Sequence, residues 1–95
     1  MSRNLLYSSN FKSNVVKVQT PGTRVQLPDI PCKEITIIAL RSNTGSIFVG
    51  DSTVSSTVFG AEFLQRDGLT FVVNNASEFY IDASVAGEGV SFTTG

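Results

Sequence analysis

Residues 69–93, LTFVVNNASEFYIDASVAGEGVSFT, contain the clearest signal of the fold class. In this stretch, Phe79 and Ile81 alternate with more polar neighbours, and Val90 and Phe92 alternate in the same way. A period of two is typical of strands that bury one face. Asn, Ser and Gly residues separate the runs, and these residues favour turns. The stretch therefore predicts three short β-strands.

The same pattern extends toward the N-terminus, where runs of Val, Ile, Phe and Thr recur between Gly, Pro, Asn and Asp residues. A helical period is not evident in any window. We therefore expect an all-β domain, an antiparallel two-sheet sandwich or jelly roll of about eight short strands. Residues 14–95 form its body, and residues 1–13 form an N-terminal arm. The predicted strands are 14–18, 23–27, 34–40, 46–49, 62–64, 69–74, 78–82 and 89–93.

The alternation also assigns the side chains to two faces. The set predicted to fill the core consists of apolar residues of one parity in each strand: Val16, Val18, Val25, Leu27, Ile35, Ile37, Ile47, Val49, Leu69, Phe71, Val73, Phe79, Ile81, Val90 and Phe92. Four apolar residues of the opposite parity, Ile38, Phe48, Val72 and Tyr80, are expected to point outward and to form one interface patch. Two alternatives stay open: some registers are shifted, or the arm covers the patch.

The N-terminal arm is basic and partly apolar. Residues 1–28 contain four basic residues and no acid, whereas all eight acidic residues follow, so the net charge of -1 hides an asymmetry. Such an N-terminal segment is expected to lie on an acidic surface, its own or a neighbour's, although four solvated basic residues can also arise by chance. The arm residues predicted to make this contact are Arg3, Leu5, Leu6, Tyr7, Phe11 and Lys12.

Reactive side chains are scarce. The chain has no histidine and one cysteine, Cys32, so Ser-His-Asp and Cys-His catalysis and an internal disulfide are excluded, and a zinc site is disfavoured. Asp51 lies in a Gly-Asp-Ser-Thr loop, where we expect a turn-forming role rather than a cation site. The glycines match no phosphate-binding fingerprint. We therefore predict no enzyme activity, no cofactor and no metal.

Two further partner classes are disfavoured by charge and hydropathy. The aromatic strands 69–73 and 78–82 contain no Lys or Arg, so binding of nucleic acid by stacking on a basic sheet has no support. A segment of about 18 apolar residues, as a membrane span needs, is absent from the sequence. The N-terminus lacks a continuous apolar core of a signal peptide, so we expect synthesis in the cytoplasm without secretion.

Two stretches carry a resemblance to a known group of proteins. These are TGSIFVGDSTVSSTVFG, residues 44–60, and DGLTFVVNNASEFYIDASVAGEGVSF, residues 67–92. Their order of strand, Gly-Asp loop, strand, FYIDAS and closing GVSF resembles small β-sandwich proteins of tailed bacteriophage virions, which include capsid decoration (cement) proteins, head fibres and tail modules. The resemblance covers about residues 18–92 and rests on common strand and turn residues.

The resemblance implies a structural protein of the virion, synthesised in the host cytoplasm. Its most specific implication is a capsid decoration protein that binds the major capsid protein, or another virion protein, and stabilises the assembled shell. It further implies self-association, with a trimer favoured, and no catalytic residue. The alternative is a receptor- or glycan-binding module of a tail or fibre, with its pocket around Tyr80 or the loop between Gly50 and Gly60.

Overall fold

The computed structural model describes residues 11–95, and within this range the chain forms eight strands and a short 3-10 helix. All eight predicted strands are confirmed. The strand predicted at 78–82 begins later, at Tyr80, because the Asn75 side chain accepts a hydrogen bond from the Ser77 N–H and starts the 3-10 helix before the strand. The strands are β1 Ser13–Val18, β2 Val25–Gln26, β3 Glu34–Ala39, β4 Ile47–Gly50, β5 Ala61–Phe63, β6 Gly68–Val72, β7 Tyr80–Ala83 and β8 Glu88–Thr94; the 3-10 helix is Ala76–Glu78.

The strands form two four-stranded antiparallel sheets. Sheet A has the order β1-β8-β3-β6, and sheet B has the order β2-β7-β4-β5. Strand 1 pairs with 8, 2 with 7, 3 with 6 and 4 with 5, as in one long antiparallel ribbon. Rolling this ribbon up brings β8 onto β3 and β7 onto β4. An eight-stranded double sheet with this order is a jelly roll, so the structure distinguishes between the two architectures that the sequence left open.

The core lies between the two sheets. Ile35, Ile37, Ile47, Ile81 and Val90 are fully buried there. The predicted core also includes Val16, Val25, Phe71, Val73 and Phe79, which are partly buried and pack against the same cluster. The prediction for Leu69 is wrong, since its side chain is 50% exposed. Leu69 pairs with Ile37 and shares its inner face, but β6 is the last strand of sheet A, where the sandwich is open.

One end of the roll is closed by polar side chains. The buried Asn43 amide donates to the carbonyl of Gly89 (2.9 Å) and accepts from its N–H (3.3 Å). Gly89 has to be glycine, because a Cβ there would collide with the carbonyl oxygen of Val16 in the neighbouring strand. The next residue toward the N-terminus, Glu88, accepts hydrogen bonds from the N–H groups of Thr44 (2.7 Å) and Gly45 (2.9 Å). These bonds fix the loop that leads from sheet A into β4 of sheet B.

Candidate interaction surface

The outer face of sheet A has no covering layer among residues 11–95. Since Val16 and Ile37 point into the core, the alternate side chains Val15 and Ile38 point outward. The strand register places Val15, Ser91, Ile38 and Gly68 in one row across the four strands. Val15 is 48% exposed and Ile38 is 41% exposed. The row therefore presents two apolar side chains to the exterior.

The neighbouring rows of this face contain hydroxyl and apolar groups. Ser13, Thr93, Thr36 and Thr70 form one row, and the hydroxyls of Thr36 and Thr70 lie 2.8 Å apart in a hydrogen bond. In the row beyond it, Val72 lies beside the exposed Glu34 and is itself 88% exposed, the highest value among the large exposed apolar residues of 11–95. Sheet A thus presents a broad face of apolar and hydroxyl groups, with few charges.

The outer face of sheet B is covered by its own chain. The loop 51–60 folds back over β4, and the ring of Phe59 contacts the ring of Phe48 at a centroid distance of 5.2 Å. Phe48 points away from the core, as expected, but only 6% of it is exposed. The buried side chain of Val54 packs close to Gly50 of β4: its Cγ2 would lie 3.2 Å from a Cβ placed on that glycine. The prediction that Phe48 forms an exposed contact is therefore wrong, because the loop covers it.

Asp51 fixes the start of this loop. Its Oδ1 accepts hydrogen bonds from the hydroxyl (2.6 Å) and the backbone N–H (2.9 Å) of Thr53. The same two hydrogen bonds lower the pKa of Asp51, and the bond from the Thr53 hydroxyl has the larger effect. The expected turn-forming role of Asp51 is confirmed. In the part of the chain that the structure describes, no three His, Cys, Asp or Glu side chains are placed to hold a metal ion.

The loop 51–60 borders a shallow hollow of about 260 Å³. Asp51 and Phe59 contribute the carboxylate and the aromatic wall, and Phe59 is 41% exposed. Tyr80 is the register partner of Gly50, another lining residue, and is half-buried. The predicted pocket region around Tyr80 and the loop thus contains a real concavity, although Tyr80 does not line it.

The four outward-pointing residues do not form one patch. Ile38 and Val72 lie on β3 and β6 of sheet A, whereas Phe48 and Tyr80 lie on β4 and β7 of sheet B. The expected single patch is therefore wrong, because the two pairs face opposite sides of the sandwich. A sequence of alternating residues gives the parity of each strand but not the sheet to which the strand belongs.

The arm residues fall into two groups. Arg3, Leu5, Leu6 and Tyr7 lie outside the described residues. Phe11 is 66% exposed, and Lys12 is exposed. The backbone of Lys12 donates to the hydroxyl of Thr94 (3.0 Å) and accepts from its N–H (2.8 Å). Lys12 and Ser13 are therefore joined to β8 at that end of sheet A.

Sequence analysis gave no role to Val15 and Phe59, which are exposed residues of the two candidate surfaces. Val15 was not assigned to the outer face, although its alternation with Val16 and Val18 contained that signal. Phe59 lies in a loop without periodicity, so its packing on Phe48 had no signal in the pattern.

Cys32 is a buried thiol rather than a reactive one. It is 6% exposed, and its Sγ lies 3.9 Å from the carbonyl oxygen of Val73. Burial, followed by the negative charge of Glu78, raises the pKa of the Cys32 thiol, so the thiolate is disfavoured. The lone cysteine therefore packs as a small apolar side chain.

Comparison with known proteins adds no relative. No family model matches this chain, and neither a curated protein nor a solved structure matches it. Among residues 11–95, helices with the length and hydropathy for a membrane crossing are absent.

Proposed function

We propose that this chain is a structural protein of a bacteriophage particle, a decoration protein that binds an assembled capsid. The observation that carries the proposal is the uncovered outer face of sheet A, where Val15, Ile38 and Val72 are each at least 41% exposed. Contiguous exposed apolar groups on a small domain are typical of contacts with other proteins. The arm joins the body at the same sheet, through Lys12 and Thr94, so arm and face are able to engage one partner together.

The fold is compatible with this role but is not specific to it. Jelly rolls occur in viral capsid proteins and also in lectins and enzymes. The resemblance of residues 44–60 and 67–92 to phage virion proteins favours the first of these. The partner proposed is therefore the major capsid protein or a neighbouring virion protein. The trimer that the resemblance implies stays a prediction.

Co-sedimentation with undecorated capsids tests the proposal. We expect the wild-type chain to sediment with the capsids and Val15→Lys to lose most of its occupancy, because a charge would be buried on the outer face of sheet A. Val58→Lys is the matched control, since Val58 is similarly exposed (53%) but lies in the loop over sheet B. If both variants occupied the capsids equally, the outer face of sheet A would have no specific part in binding. If the wild-type chain did not bind, the proposal would be rejected.

The arm is tested separately by deleting residues 1–10. A deletion that extends to residue 13 would also remove the Lys12 contact with Thr94 and the first residue of β1, so its effect would mix folding with docking. We expect the shorter deletion to leave the body folded and to reduce occupancy. Unchanged occupancy would limit the contact to the sheet face.

A receptor- or glycan-binding role is the second candidate, and the hollow beside Phe59 favours it. An aromatic wall next to a carboxylate suits a sugar ring, which stacks by its apolar face and donates hydroxyl hydrogen bonds. At about 260 Å³ the hollow is smaller than the roughly 300–1,000 Å³ of most ligand sites, which places this candidate second. Glycan-array binding that disappears in Phe59→Ala would favour it over capsid binding, and Tyr80→Ala is the control, because Tyr80 does not line the hollow.

A further inference from the structure

The free edge of β6 is the least protected strand edge of sheet A. The N–H of Val73 bonds to the carbonyl of Lys33, and the N–H of Ala39 bonds to the carbonyl of Asp67. Because backbone groups alternate in direction along an antiparallel strand, residues 67, 69, 71 and 73 face β3. The N–H and C=O groups of Gly68, Thr70 and Val72 therefore face away from the sheet, at the last position in its strand order.

The opposite edge, β1, is protected in two ways that β6 lacks. The N–H of Val15, which faces outward, is occupied by the Oδ1 of Asn14 at 2.8 Å. Lys17 adds a charge near the end of the same edge. In contrast, residues 68–73 read GLTFVV, with no charge and no proline. Natural sheets use charges and occupied backbone groups to prevent edge pairing. The β1 edge has both of these features, and the β6 edge has neither.

We propose that β6 pairs with β6 of a second copy of this chain, antiparallel and about a two-fold axis at Thr70. In this register, Gly68 of each copy lies opposite Val72 of the other. The three outward-facing residues then form hydrogen-bonded pairs, with about six new backbone bonds across the contact. Sheet A becomes one continuous eight-stranded sheet.

The outer-face side chains fit this register. Val72, which is 88% exposed, lies opposite a residue without a side chain, Gly68 of the second copy. On the other side of Gly68 stands Ile38, whose Cγ1 would lie 2.8 Å from a Cβ at that glycine. Val72 of one copy therefore reaches Ile38 of the other across Gly68. Two exposed apolar side chains cover each other without a clash.

The inner face fits the same register. Leu69, half exposed at the open side of the sandwich, lies opposite Phe71 of the second copy. The paired segment ends near Gly68, because Arg66 has a positive φ and donates its N–H to the carbonyl of Ala39. The pairing is self-complementary, as a two-fold contact requires.

The pairing concerns the chain alone and does not depend on capsid binding. It gives a dimer, whereas the resemblance implies a trimer, so solution mass separates the two. A contact along one strand edge is small, so we expect association at about 10–100 μM. Sedimentation equilibrium of the full chain should then show monomer and dimer, and a trimeric mass would overturn the proposal.

Lysine substitutions at the two edges of sheet A provide a matched test. Val72→Lys should raise the dissociation constant at least about tenfold. Val15→Lys introduces the same side chain on the same face of the same sheet and should leave association unchanged. Equal weakening by both variants, or none by Val72→Lys, would overturn the pairing. Loss of association on deleting residues 1–10, with Val72→Lys unaffected, would assign the contact to the arm instead.

Cysteine cross-linking tests the register itself. Two copies of residue 70 would have Cα atoms about 5.5 Å apart, within disulfide range. Thr70→Cys should therefore form a covalent dimer with oxidised glutathione. Thr36→Cys is the control, because residue 36 lies in the same row but one strand inward, about 14 Å from its counterpart. Equal cross-linking of both variants would show random collision and reject the two-fold axis, and failure of Thr70→Cys would reject the register.

Discussion

The outer faces of the two sheets differ in what covers them. Both sheets place apolar side chains outside: Phe48 on sheet B, and Val15 and Ile38 on sheet A. On sheet B the loop 51–60 covers Phe48 and leaves it 6% exposed, whereas Val15 remains 48% exposed. An outward apolar residue thus supports the fold where its own chain covers it. Where it is uncovered, it is available to a partner.

The largest effect that this comparison predicts is at Phe48. Phe48→Ala should lower the free energy of unfolding by about 3 kcal/mol, because it removes a buried ring and its contact with Phe59. Urea unfolding followed by circular dichroism measures this loss. A cost below about 1 kcal/mol, in the range of surface substitutions, would mean that the loop does not stabilise sheet B. The outer faces of the two sheets would then not differ in this respect.

The positions of the strands could be read from the sequence because alternation and turn residues are local signals. Ile35, Ile37, Val90 and Phe92 are buried as the period of two predicts. The strand order could not be read in the same way, since it depends on pairs such as Val15 with Ser91, far apart in the chain. The covering of Phe48 was also missed, because residues 51–60 have no period and their packing is decided by tertiary contacts.

The interaction surface was predictable only in part. Ile38 and Val72 have the parity of outward residues, and both are exposed. Their grouping with Phe48 and Tyr80 was wrong, because parity does not assign a strand to a sheet. The contrast between the edges β1 and β6 was not predictable either. It depends on which strands lie last in the order and on the bond from the Asn14 side chain to Val15.

A smaller effect is expected at Glu88, which connects the two sheets through polar bonds rather than apolar covering. Burial alone would raise the pKa of the Glu88 carboxyl, but the hydrogen bonds from the Thr44 and Gly45 N–H groups and the Thr44 hydroxyl reverse this and lower it. Glu88→Gln should cost about 1.5 kcal/mol at pH 7, because an amide cannot accept at both ends. Urea unfolding at pH 7 measures the cost.

The pH dependence of Glu88 identifies the source of that cost. A lowered pKa in the folded state stabilises the fold above the unfolded-state value of about 4.3. This stabilisation is lost as the pH falls through the lower, folded-state pKa. The difference between wild type and Glu88→Gln should therefore shrink below about pH 4. If the difference in unfolding free energy between wild type and Glu88→Gln stayed constant from pH 7 to pH 3, the cost would come from packing. The hydrogen bonds of the Glu88 carboxylate would then not be its source.

The smallest effect on stability is expected at Ile38, the counterpart of Phe48 on the uncovered face. Ile38→Thr keeps a β-branched side chain and removes apolar surface that is 41% exposed. Measured at a protein concentration of about 1 μM, where the chain is expected to be monomeric, the free energy of unfolding should change by no more than about 0.5 kcal/mol. At higher concentration the same variant should associate more weakly, because Ile38 contacts Val72 of the second copy in the proposed pairing.

The Ile38 result also decides what lies on sheet A in the isolated chain. A cost above about 1.5 kcal/mol at 1 μM exceeds what an exposed residue contributes and would mean that residues 1–10 cover Ile38 as the loop 51–60 covers Phe48. Repeating the measurement on the chain without residues 1–10 separates the cases, since such a cost would then disappear. A small cost of Ile38→Thr in both chains would mean that the outer face of sheet A is accessible to other molecules. The covered face of sheet B would then stabilise the fold, whereas the face of sheet A would be available for binding.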